Sequence, residues 1–289
     1  MNDVYSAQKQ LKAIIQSLLA TPLLAGDIPE ADVFDRYLLG NIVPDIELNF
    51  DQKLGHLYED ALQALIKTSP HIDLVASHSQ VFDTQHQTIG ELDFIVRNRA
   101  TGENIHLELA VKFYLAYEDQ SAWIYPGPDA RDNWHRKLER MRTHQLVLSQ
   151  RPETTIALKE QFDIHEITTR QLIYGCLFIP ASCPVPPQPD FMNQGKRVGK
   201  WLYVKDWQEH FSERDNDTIL LIPKALWPID LSRDHERLLS PLSINALTSL
   251  ASERCTMFTL KDSLDPWFLV PNDWPNFEAR KKNGAAEEI

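Results

Sequence analysis

The sequence predicts an α/β protein, and three observations carry that reading. Two stretches near the N-terminus repeat apolar residues at helical spacing. Three segments between residues 73 and 115 carry strand patterning. A basic helix and an apolar strand follow, so the order between residues 51 and 180 is α-β-β-β-α-β.

The first helix is expected over 5–20, where Leu11, Ile14, Ile15, Leu18 and Leu19 form one stripe and Pro22 stops the chain. Residues 23–50, rich in Pro, Gly and Asp, read as connection. A second helix is predicted over 51–67, with Leu54, Leu57, Tyr58, Ala61, Leu62, Leu65 and Ile66 on its apolar face. Strands follow at 73–82, 90–97 and 105–115. In the second, Leu92, Phe94 and Val96 oppose Glu91, Asp93 and Ile95. In the third, Ile105, Leu107, Leu109, Val111, Phe113 and Leu115 share one face, and His106, Glu108, Ala110, Lys112 and Tyr114 share the other. That second face is expected in water or at the mouth of a cleft. The segment RNRATGEN suits a hairpin turn. Residues 116–130 read as a long loop, about 130–149 as a third helix and 171–179 as a fourth strand. The Pro-rich stretch 181–195 divides a core of residues 1–180 from a C-terminal α+β extension over 181–289 packed on that core. Strands are expected in the extension near 200–205 and 218–223, with short helices near 232–252 and a polar, frayed tail.

Composition narrows the function classes. The chain has 289 residues, no run of 18 apolar residues and an amphipathic start unlike a signal peptide, so no membrane span is expected. Its three cysteines, Cys176, Cys183 and Cys255, form no CxxC pair, which argues against a thiolate metal site and for a reducing, cytoplasmic setting. The net charge is −12, so contact with nucleic acid would have to come from local basic patches. No HExxH, GxSxG, P-loop or GxGxxG motif occurs.

The chemistry concentrates on the hairpin. With Val96 facing Ile105, Asp93 lies opposite Glu108; a two-residue shift instead sets it opposite Ala110, between Glu108 and Lys112. Either register brings two carboxylates within reach of one hard dication, with an ammonium nearby to steady a phosphorane or lower the pKa of an attacking water. On the second helix, Gly55 and Glu59 stack one turn apart, and Glu59 flanks the apolar stripe. The third helix carries Arg131, Arg136, Lys137, Arg140 and Arg142 ahead of His144 and Gln145. A second patch, GKRVGKWLYVK, interleaves Lys196, Arg197 and Lys200 with Trp201 and Tyr203, a pattern suited to single strands.

The αβββαβ order, the Gly-x-x-x-Glu helix, the GELD strand end and the Glu…Lys strand together resemble the PD-(D/E)XK nuclease superfamily over roughly residues 45–180. The longer pattern GELDFIV…HLELAVKFYL…KLERMRTHQL…YGCLFIP…GKRVGKWL resembles a bacterial family described only as a domain of unknown function. The resemblance implies a restriction-endonuclease-like mixed sheet flanked by helices. It implies Asp93, Glu108 and Lys112 as catalytic, Glu59 assisting, Asp93 and Glu108 as ligands of Mg²⁺ or Mn²⁺, and Lys137, Arg140, His144 and Gln145 beside nucleic acid. The superfamily sets its acid two residues before the lysine; here Ala110 holds that place and Glu108 stands two residues earlier. Two functions follow: a Mg²⁺-dependent phosphodiesterase, or a catalytically degenerate relative that binds nucleic acid or a protein partner without cleavage.

Overall fold

The chain folds into three layers built on one large mixed sheet. In the computed structural model, residues 2–120, 122–182, 186–211 and 219–276 are described, with side chains from residue 7 onward. Cys183 and the polar tail from 277 lie outside the described residues. Cys176 and Cys255 are buried free thiols.

Two helices, α1 (Asn2–Ala20) and α2 (Leu54–Thr68), bracket a short strand β1 (Asp32–Val33). Then come β2 (Ile72–Phe82), β3 (Thr88–Asn98) and β4 (Asn104–Leu115). The segment read as a loop contains a small hairpin, β5 (Tyr117–Asp119) and β6 (Ala122–Ile124). Helix α3 (Trp134–Arg140) runs into a π-turn over Met141–Gln145, and α4 (Pro152–Phe162) leads to β7 (Thr168–Pro180). The remaining described elements are β8 (Val198–Tyr203), α5 (Trp207–Phe211), β9 (Ile219–Leu221), β10 (Ser240–Pro241), α6 (Ile244–Glu253), β11 (Thr256–Leu260) and β12 (Pro266–Val270), with short 3₁₀ turns between them.

The sheet order is β10-β9-β11-β12-β8-β7-β4-β3-β2, with β1 beside β7. β2, β3 and β4 are antiparallel; β4, β7, β8 and β12 run parallel. Strands beyond residue 181 therefore continue the same sheet. One face packs on α1 and α2 through Phe94, Val96, Ile105, Leu107 and Leu172, the odd-numbered apolar set of β4 among them. The other face is also covered. Trp134, Leu138, Met141 and Leu146 pack on Tyr114 and Ile173; α4 packs on Ile95 through Leu158; α6 packs on Phe258 and Leu269.

That second cover corrects the sequence reading of β4. Its even-numbered face is not solvated: His106 is 0% exposed, Glu108 1% and Tyr114 0%. The helix expected over 130–149 is shorter and broken. Asn133 caps α3 by accepting the His135 N–H, the chain widens into the π-turn, and Pro152 opens a separate α4. Helix α4 has no clear stripe, because Leu158 is buried while Ile156 faces out. The last strands, TMFTL and PWFLV, are buried at every residue and so lack the alternation by which strands are recognised.

Candidate active site

The sheet forks between β3 and β4. The two strands pair over only four positions, from Arg97 opposite Asn104 to Phe94 opposite Leu107. Beyond Phe94, β3 stays with β2 as far as Thr88, whereas β4 stays with β7 along eleven paired positions. The observed Val96–Ile105 register sets Asp93 opposite Glu108 at the opening. There the Asp93 side chain substitutes for the departing strand: its carboxylate accepts the Leu109 N–H at 2.9 Å.

The two carboxylates strain against each other. Burial first, and the charge of Glu108 second, push Asp93 up to about 8 from an ordinary 3.8, with Glu59 and Glu91 adding to the rise. Glu108 is held from two sides. His106 Nε2 lies 2.8 Å from its Oε1, and Gln145 Nε2 donates to its Oε2 at 3.1 Å. His106 Nδ1 is buried without a hydrogen-bond partner. An unpaired acceptor there costs less than an orphaned N–H, so the ring proton belongs on Nε2, donated to Glu108.

Gln145 is in turn anchored by Lys137, whose ammonium donates to Oε1 at 2.6 Å. The π-turn makes this pairing geometric. Eight residues of regular helix rotate through about 800°, about 80° out of line; the extra residue of a π-turn reduces the mismatch to about 20°. Lys137 is lowered to about 8, by burial first and then by the charge of Lys112, against the opposing pull of Glu108 and Asp132. Lys112 itself is tied elsewhere: its Nζ donates to Asp132 Oδ2 at 2.7 Å, and both side chains are partly exposed. Tyr114 donates to the same oxygen at 3.4 Å.

Beside the fork lies a groove of about 1040 Å³, lined by Gly90 and Asp93 from β3 and by Arg136, Arg140, His144 and Gln145 from the α3 and π-turn segment. Glu91 and Glu139 line it as well, so the groove carries both signs of charge. Of the residues singled out in the sequence, Asp93, Glu108, Gln145 and Lys137 form one connected group, and Arg140 and His144 share its groove. Glu59 reaches Asp93 only through its charge, and its carboxylate accepts from His56 Nδ1 at 3.0 Å. Lys112 points its ammonium to Asp132, and His144 Nδ1 meets Arg151 at 3.0 Å. The GKRVGKWLYVK patch is dismantled. Arg197 is buried and donates to the Trp227 carbonyl, and Trp201 is buried with its indole N–H on the Ala116 carbonyl.

Three contributors escaped the sequence reading. Asp132 meets Lys112 across 20 positions of chain, which no local spacing announces. His106 reads as a structural strand histidine. Gly175 faces Lys112 across the β4–β7 pairing at φ 147°, where a Cβ would stand 1.6 Å from the Lys112 carbonyl oxygen, so only glycine permits this approach.

Among the described residues, no group of three or more His, Cys, Asp and Glu side chains is placed to hold a metal ion. Mg²⁺ takes one or two carboxylates and completes its shell with water and phosphate oxygens; Asp93 and Glu108 would be the two, with the Glu108 oxygens now held by His106 and Gln145. The mutual repulsion of the two carboxylates is the kind of imbalance a dication relieves.

In comparison with known proteins, residues 9–260 match the family described as domain of unknown function DUF1853, and the chain belongs to that family. No curated protein matches, and no solved structure matches. Among the described residues, no helix is long and apolar enough to cross a membrane.

Proposed function

We propose that this protein is a Mg²⁺- or Mn²⁺-dependent phosphodiesterase acting on nucleic acid. One observation carries the reading: Asp93 lines a groove that also holds Arg136, Arg140 and His144, and the charge of Glu108, buried behind the groove, acts on it. Support comes from the element order: β2, β3 and β4 are followed by α3, α4 and β7, in keeping with the αβββαβ order on which the resemblance to the PD-(D/E)XK superfamily rests.

Asp93 and Glu108 would hold the dication, which when bound neutralises charge on the phosphate and lowers the pKa of a coordinated water. His106 and Gln145 fix the Glu108 carboxylate so that its oxygens keep one orientation. Arg136 and Arg140 supply cationic contacts for flanking phosphates along the groove wall. Lys112, restrained by Asp132, would position water or activate it by its positive charge, with Glu59 adding negative charge beside Asp93.

A second reading, binding of nucleic acid or a protein without cleavage, is favoured by the Lys112–Asp132 ion pair and by the burial of Glu108. A cleavage assay separates the two. Single- and double-stranded DNA and RNA are incubated with Mg²⁺, Mn²⁺ or EDTA and with wild type, Asp93→Ala or Lys112→Ala. Metal-dependent products lost in both variants support the enzyme. Retention of nucleic acid in EDTA with no product from wild type supports the second reading, and neither product nor retention overturns both for nucleic acid.

A further inference from the structure

We infer that a second groove, at the carboxyl ends of β7 and β8, receives a basic side chain presented by a protein partner. The groove has a volume of about 620 Å³ and shares no lining residue with the Asp93 groove. Its position is physically favourable. Parallel strands of an open sheet end in a crevice there, where neighbouring loops diverge and side chains from several elements meet. Tyr117 from β5, Trp123 from β6, and Trp201 and Tyr203 from β8 make aromatic walls. Glu118, Asp206 and Glu209 stand around them on three separate elements. Among the described residues, no lysine or arginine lines the groove, and His210 is the one basic group in its lining.

Charge and surface chemistry select the occupant. Phosphate is repelled by three carboxylates, so the single strand suggested by the Trp201 and Tyr203 motif is the wrong ligand. A guanidinium or ammonium is attracted twice, by the acids and by the negative faces of the rings. The protein demonstrates the second attraction on itself: the Lys205 ammonium rests 5.1 Å from the centroid of the Tyr203 ring. The Tyr203 hydroxyl is pushed up to about 12, by burial first and then by Tyr117 and Asp206, so it stays neutral beside the acids. Trp201 is fixed by its bond to the Ala116 carbonyl and by edge contacts to Tyr203 and Trp274, which gives a rigid wall. Glu118 and Glu209 are exposed while the rings are half-buried or buried. The groove therefore encloses one head group and leaves the rest of the ligand outside, which suits a side chain on a polypeptide.

The test is equilibrium binding of the full chain to a fluorescein-labelled peptide of alternating arginine and glycine, read by anisotropy. The matching glutamate peptide and a single-stranded DNA serve as competitors. The arginine peptide is expected to saturate the protein. Its binding is expected to weaken about fivefold in Glu118→Gln combined with Glu209→Gln, and by a similar factor in Trp123→Ala. It also falls as NaCl rises from about 50 to about 300 mM. Asp93→Ala is expected to leave it unchanged, which separates this groove from the phosphodiesterase reading. The Gln substitutions are on exposed positions, so they test the groove even if Trp123→Ala fails to fold. No saturable binding, equal binding by the Gln variants, or displacement by the DNA overturns the inference.

Discussion

Replacing Asp93 with Asn removes one of two carboxylates that the forked sheet holds against each other, and the consequence is a change in how stability depends on pH. The Asn amide oxygen can accept the Leu109 N–H in place of the carboxylate, so no backbone bond is lost. In the wild type, Asp93 titrates near 8 when folded and near 3.8 when unfolded. Between those values the folded protein holds a proton that the unfolded chain has released. Stability is therefore fully present below about pH 4 and is lost as pH rises through about 8. A whole proton would give about 1.4 kcal/mol per pH unit. Asp93 is partly exposed and its shift depends in part on the Glu108 charge, so we discount to about a third, or about 2 kcal/mol across the window. Urea denaturation of wild type and Asp93→Asn at intervals from about pH 4.5 to about pH 8.5 measures this, because groups remote from Asp93 cancel in the difference. The variant is expected to gain about 2 kcal/mol on wild type towards alkaline pH. At about pH 8, Mg²⁺ at ten times its dissociation constant is expected to stabilise wild type by about 1.4 kcal/mol and the variant by much less. Parallel pH profiles would refute the claim that the two carboxylates are in electrostatic conflict.

The network around Glu108 makes further expectations. His106→Leu removes the donor to Glu108 and is expected to reduce Mn²⁺ affinity, measured by calorimetry, about 10- to 100-fold, while His106→Gln keeps a donor and restores most of it; equal losses in both would leave His106 a packing residue. Gly175→Ala forces a Cβ onto the Lys112 carbonyl and is expected to cost about 3 kcal/mol or more in urea denaturation; a loss below about 0.5 kcal/mol would mean that β4 and β7 are not locked in this register. Asp132→Asn breaks a partly exposed ion pair, so it is expected to cost at most about 1 kcal/mol while lowering any cleavage about tenfold through a misplaced Lys112; unchanged cleavage would remove Asp132 from the site.

Much of the fold was legible because its information is local. The stripes of α1 and α2 and the odd-numbered face of β4 follow from periods of 3.6 and 2 and are observed, and of the two registers left open the structure has Val96 opposite Ile105. The α/β class followed from their order. What escaped depends on partners far along the chain. His106 and Glu108 look like solvated strand residues, yet both are buried and Gln145, from a later segment, bonds Glu108. The π-turn has no sequence period of its own, and the strands at 256–260 and 266–270 are buried on both faces, so neither alternates. The basic patch at Trp201 misled for the same reason: composition gives charge, while the fold decides which side of the residue faces water.

The unusual spacing of Glu108 and Lys112 has a physical account in the group that fills the space between them. Ala110 lies on the same strand face, midway, while Gln145 bonds Glu108 and Lys137 bonds Gln145. Burial and the Lys112 charge then hold Lys137 near 8. Moving the carboxylate to position 110, by combining Glu108→Ala with Ala110→Glu, shifts it about 7 Å along the strand. That takes it away from the residue opposite Asp93 and towards two lysines. Asp93 loses the neighbour whose charge raises it, and the new carboxylate is neutralised by Lys137 and Lys112. The double variant is therefore expected to lose part of the pH-dependent instability of wild type, the burial of Asp93 remaining, to bind Mn²⁺ at least about tenfold more weakly, and to show no metal-dependent cleavage. If it binds Mn²⁺ as tightly as wild type, the opening between β3 and β4 is not what defines the site, and the carboxylate that matters is one recruited from elsewhere in the groove.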